Sequence, residues 1–107
     1  MTEQYEMFDV LDLAEKDEGL PACVRDVMRS LRVADAAYNT WCVAVKRGER
    51  RCSKDLDETL VPILDRDDEV VLAWKAYCAS RNDESTAALV DALRAATEER
   101  LRITRDL

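Results

Sequence analysis

Apolar residues return at Leu20, Val24, Val27, Leu31, Ala34, Tyr38, Trp41 and Val45, in alternating steps of four and three. That rhythm lays one continuous stripe down one side of a long α-helix. Pro21 suits its first turn, where a missing N–H costs nothing, and Gly48 suits its exit, where a left-handed residue is needed. Arg25, Arg29 and Arg32 fall on the opposite face, and Val33 and Val43 also fall on the polar side. Such a helix cannot bury its own stripe, so the remaining segments must cover it.

Three further helices are expected. Met7, Val10, Leu11 and Ala14 share one face with Phe8 at its edge, which predicts a first helix over about residues 3–17, ended by Gly19 and Pro21. After the long helix, Ser53 is the expected N-cap of a third, with Asp55, Asp57 and Glu58 in its early turns. Leu56, Leu60, Ile63 and Leu64 form its expected inner side. Pro62 disfavours α geometry at Val61, so this helix is kinked or broken near Pro62–Asp68, and Asp65, Asp67, Asp68 and Glu69 resemble a fresh N-terminus. Val70 to Ala79 is apolar except at Lys75, which predicts the central, most buried rod. Asn82 or Asp83 then caps a final helix over about 84–104. Leu89, Leu93, Ala96, Arg100 and Ile103 draw its stripe, and Val90, Thr97, Leu101 and Thr104 line an adjacent row. Two rows are wide enough to touch two helices or a second subunit.

The expected fold is therefore all-α, an antiparallel four-helix bundle forming a single helical domain over residues 1–107. Composition agrees: hydrophobic residues are 48% of the chain, enough for a core, and two glycines against 14 alanines favour long helices. No run approaches the ~20 apolar residues a membrane span requires. An acidic start is the wrong charge for a secretory signal. The expected location is the cytoplasm, or the host-cell cytoplasm if the chain is of phage rather than bacterial origin.

Charge is unevenly distributed. Residues 1–20 carry seven acids against Lys16, while residues 21–52 carry seven bases against three acids. The first helix should fold back beside the second, acid against base, although each exposed pair contributes only ~0–1 kcal/mol. Lys46 to Arg51 reads as an exposed basic loop paired with that acidic helix. The net charge of −7, with no aromatic residue interleaved in this loop, argues against nucleic-acid binding.

Reactive chemistry is sparse. The chain has no histidine, so serine–histidine and cysteine–histidine machinery is absent, and two isolated glycines do not make a phosphate loop. Cys23, Cys42, Cys52 and Cys78 are widely spaced, with Cys23 on the core side of the long helix; they read as inert thiols rather than zinc ligands or disulfides. Cys52 stands beside Lys46, Arg47, Arg50 and Arg51, whose charges would favour its thiolate, so it is a candidate for modification. No cofactor and no metal are expected.

The expected function is that of a non-enzymatic protein-binding module: a small acidic inhibitor, immunity protein or adaptor that docks on a basic surface of a partner, such as a nucleic-acid-processing enzyme in a phage–host or toxin system. The candidate docking residues are Glu6, Asp9, Asp12, Glu15, Asp65, Asp67, Asp68 and Glu69. A homodimer is a second expectation, from Val33, Val43 and the wide stripe of the last helix. The alternative is a Mg²⁺-dependent all-α enzyme of the nucleoside triphosphate pyrophosphohydrolase type. Its Glu-x-x-Glu and Glu-x-x-Asp pairs would fall here on Glu15-x-x-Glu18 and Asp65-x-x-Asp68, the second departing from that pattern.

Overall fold

A computed structural model describes residues 6–52 and 55–105. Four helices follow one another: α1 (Met7–Glu15), α2 (Ala22–Lys46), α3 (Leu56–Ala79) and α4 (Asp83–Arg105). The four-helix, all-α expectation holds. Local chemistry sets the ends. The Glu6 N–H donates to Asp9 Oδ2 at 3.0 Å at the start of α1. The Pro21 carbonyl accepts from Val24 and Arg25 at the start of α2, so Pro21 is the cap rather than the first helical residue. Gly48, at φ 75°, supplies the left-handed exit. Asp55 caps α3 by accepting from the Asp57 N–H; the expected cap, Ser53, lies outside the described residues, as do residues 3–5 of the longer α1. At α4, Asn82 Oδ1 accepts from the Ser85 N–H at 2.8 Å while Ser85 Oγ accepts from the Asn82 N–H at 3.1 Å, a reciprocal cap.

α3 differs most from expectation. It is one unbroken helix with Pro62 inside it, so Asp65–Glu69 do not begin a new one. Pro62 removes one N–H from the ladder, but Thr59, Ile63, Val70, Trp74 and Tyr77 lie buried in one register on both sides of it. Packing of that shared stripe holds the helix through the proline. The same register turns Leu60 and Leu64 outward, at 39% and 51% exposure. It also exposes Leu72 at 66%, so Val70–Ala79 is amphipathic and not the central rod.

That central position belongs to α4, which packs along both α2 and α3, while α1 lies against α2 and α3. The wide stripe of α4 thus meets two helices. Of the expected stripe, Leu20, just before α2, and Val24, Leu31, Ala34, Tyr38 and Trp41 within it are buried, whereas Val27 and Val45 are half-buried and Met28 is buried instead. Around α4 the core divides in two. Met7, Val10, Leu11 and Ala14 join Val24, Leu31, Val70, Trp74, Leu89 and Leu93 in the larger cluster. Tyr38, Trp41, Ile63 and Ile103 form the smaller, with Cys42, Val45, Cys52 and Leu56 at its edge. The nine residues of α1 span about 14 Å at 1.5 Å each, so they cover only the first cluster. Within the second, Tyr38 stacks on Trp41 at 6.0 Å, and Tyr38 Oη lies 3.3 Å from Thr59 Oγ1. Trp41 Nε1 is buried there without an acceptor among the described residues, at a cost of about 1–3 kcal/mol.

Candidate partner-binding surface

Arg100 has 1% of its surface exposed, and it occupies a position in the apolar stripe of α4. Its Nε donates to Asp35 Oδ1 of α2 at 2.9 Å. Nη1 and Nη2 donate side by side to Asp67 Oδ1 and Oδ2 of α3, both at 2.8 Å, and Nη1 also reaches the Ala96 carbonyl at 3.3 Å. The planar guanidinium suits this bidentate arrangement. Burial alone would depress the pKa of Arg100. The hydrogen bonds and charges of Asp67 and Asp35 outweigh burial, and the net shift is upward. Three helices are thus joined by one cation and two carboxylates. The sequence carried a signal for this: Arg100 stands in the α4 stripe, and Asp67 falls between Ile63 and Val70 in the α3 stripe.

The eight acids singled out from the sequence do not form one surface. Asp9 is used in the α1 cap, beside Glu6, which is exposed at the start of that helix. Asp12 and Glu15 hold Arg32 of α2 at 3.1 and 2.9 Å; acid does fold against base. Glu69 pairs with Arg66 at 3.2 Å. Asp67 is withdrawn from solvent by Arg100 and belongs to the interior, which corrects its place among docking residues. Asp65 and Asp68 remain on the outside of α3, and among the described residues no salt bridge holds either of them.

Those two acids have apolar neighbours. Leu60, Val61, Leu64 and Leu72 are 39%, 59%, 51% and 66% exposed, and Asp57 is exposed beside them. At 100° per residue Leu60, Val61, Leu64, Asp65, Asp68 and Leu72 occupy one sector of about 140°. Exposed apolar side chains and unpaired carboxylates therefore share one helix face. The pattern arises because the core register of α3 runs straight through Pro62. Other exposed apolar residues, Phe8, Leu13, Val33 and Val43, belong to α1 and α2.

Elsewhere, Arg81 donates to Asp17 Oδ2 at 2.6 Å and to Oδ1 at 3.3 Å and lies 5.0 Å above the Tyr77 ring. That pairing, aided by the Gly19 N–H, holds the Asp17 carboxyl below its ordinary pKa. Burial pushes the Tyr38 phenol up, with the Thr59 hydrogen bond opposing it. Lys46 is the last residue of α2 rather than part of a loop; it and Arg47–Arg51 are exposed, as expected, but make no salt bridge to α1 among the described residues. Cys23 and Cys78 are exposed, contrary to the expected core position of Cys23, while Cys42 and Cys52 are half-buried; all four are free thiols. Cys23 turns outward because it is one residue, or 100°, off the stripe position of Val24. Among the described residues no group of three or more carboxylates and thiols is placed to hold a metal ion. Glu15 is engaged by Arg32, and Asp65 and Asp68 face outward, so the two x-x pairs do not converge. No helix among the described residues is long and apolar enough to cross a membrane. No family model matches the chain, and no curated protein or solved structure shows significant similarity to it.

Proposed function

We propose that this chain is a non-enzymatic protein-binding module, an inhibitor, immunity protein or adaptor, and that it docks through the outer face of α3. The observation that carries the reading is that exposed Leu60, Val61, Leu64 and Leu72 share one face with Asp57, Asp65 and Asp68, which have no intramolecular salt bridge among the described residues. Apolar side chains supply the area that leaves water on binding, and the acids speed encounter with a basic partner and reject an acidic one. The fitting partner is a protein with a basic surface that also presents apolar pockets. A second copy meeting this face across a two-fold axis would bring like charges together, so the homodimer reading gains nothing from it.

The test is affinity capture from a host lysate with three baits: the natural chain, Leu64→Ser/Leu72→Ser and Asp65→Asn/Asp68→Asn. A protein held by the natural chain, lost on the first variant and weakened on the second supports the reading. A protein held equally by all three baits places docking elsewhere on the molecule.

A further inference from the structure

Four bases crowd the end of α2: Lys46, Arg47, Arg50 and Arg51, with Glu49 the one acid among residues 46–51. The backbone there is tied down. The Arg47 N–H donates to the Val43 carbonyl at 3.0 Å and the Gly48 N–H to that of Val45 at 3.1 Å. The Glu49 and Arg50 N–H groups both donate to the Ala44 carbonyl, at 2.9 and 3.3 Å. With Gly48 in the left-handed region, the chain folds back over the last turn of α2 and carries its bases on a hydrogen-bonded turn. The expected neutraliser, α1, lies elsewhere. Its acids meet Arg32 and its apolar face joins the larger cluster, whereas Val45 and Cys52, on either side of the turn, pack at the edge of the smaller.

All four basic residues are exposed. Among the described residues no carboxylate makes a salt bridge with any of them, neither Glu49 nor the Asp55, Asp57 and Glu58 that open α3. The helix dipole accounts for Lys46 and Arg47 at the C-terminus of α2, but it fades within the last turn and gives no reason for Arg50 and Arg51. Like charges set this close repel one another, and an anion laid across them relieves that repulsion as it pairs. Three of the four are arginines, whose planar forks take carboxylates two hydrogen bonds at a time. No aromatic residue stands in the turn to stack a nucleic-acid base, and the charge of −7 on the whole chain repels a long polyanion or a second copy. A short acidic segment brings carboxylates without that bulk. We propose that this turn docks an extended carboxylate-rich segment of a partner protein. The surface shares no residue with the outer face of α3 and stands independently of the function proposed above. The chain then carries two docking surfaces of opposite sign, which is what an adaptor between a basic and an acidic protein requires.

The experiment titrates hexaglutamate, inorganic sulfate and a duplex DNA oligonucleotide separately into the isotopically labelled full chain. Amide shifts are followed by NMR and the mass of the free chain by light scattering. The proposal expects hexaglutamate to shift amides of residues 44–52, with an affinity that falls as salt rises. Arg50→Gln/Arg51→Gln should weaken the peptide by about tenfold or more and, both side chains being exposed, leave the melting temperature unchanged. Arg29→Gln/Arg94→Gln, which removes the same charge from elsewhere on the surface, should leave the affinity unchanged. Equal losses in the two variants, or shifts centred outside residues 44–52, would overturn the site. Sulfate binding as tightly as the peptide, or DNA binding more tightly, would overturn the assignment to a protein segment. Self-association that disappears in Arg50→Gln/Arg51→Gln would make a second copy the occupant and overturn it too. Failure to bind at millimolar hexaglutamate would do the same.

Discussion

Two acidic runs of similar composition, one on α1 and one on α3, have opposite fates. On α1, Asp9 caps the helix, Asp12 and Glu15 hold Arg32, and Asp17, just beyond it, holds Arg81. On α3, Asp67 is drawn into the interior by Arg100, Glu69 meets Arg66, and Asp65 and Asp68 stay outside among exposed apolar residues. The difference shows that a count of acids describes no surface. What decides is whether a base stands within reach, and which side of the helix the core register leaves outward.

The comparison breaks most readily at the buried network. Arg100→Met leaves Asp35 and Asp67 facing each other without a cation and is expected to cost about 3–5 kcal/mol, read from the urea midpoint. Replacing Asp35, Asp67 and Arg100 together by apolar residues of similar volume should recover most of that loss. A midpoint unmoved by Arg100→Met would return Asp67 to the surface set. Next in size, Leu31→Ala should cost about 2–5 kcal/mol, because Leu31 is fully buried in the larger cluster.

Acid reports on the pair just beyond α1. The Asp17 carboxyl is held down by Arg81 in the folded chain. Its stabilisation is therefore complete above the unfolded value near pH ~4 and is lost as pH falls through the lower folded value. Arg81→Ala should flatten this part of the acid limb; an acid limb identical to that of the natural chain would show that the pair contributes nothing. At the small end, Arg32→Ala should cost at most about 1 kcal/mol, since its ion pairs are exposed. Asp65→Asn/Asp68→Asn should move stability by no more than about 0.5 kcal/mol, because neither acid supports the fold.

Much of the fold was legible because α2 and α4 carry long stripes in clean steps of four and three, and stripes of that length leave little choice of structure. The register of α3 was not legible. Pro62 argued locally for an interruption, whereas burial of Thr59, Ile63, Val70, Trp74 and Tyr77 in one register overrode the lost hydrogen bond. The continuous register is also what exposes this face, since Leu60 and Leu64 look like core only if the helix restarts after the proline. The Asp35–Arg100–Asp67 network left a trace, charges inside apolar stripes, but choosing partners for them required knowing which helices meet. The free acids of α3 were visible as residues and not as a surface.

The division of labour between the two runs is tested most directly by NMR with a basic amphipathic lysine–leucine helix as probe. Titrated into the isotopically labelled chain, the peptide should shift amides of residues 57–72 on α3, leave α1 unmoved, and lose its effect on Leu64→Ser/Leu72→Ser. Shifts centred on residues 6–15, or shifts that persist in that variant, would contradict the assignment of the binding face.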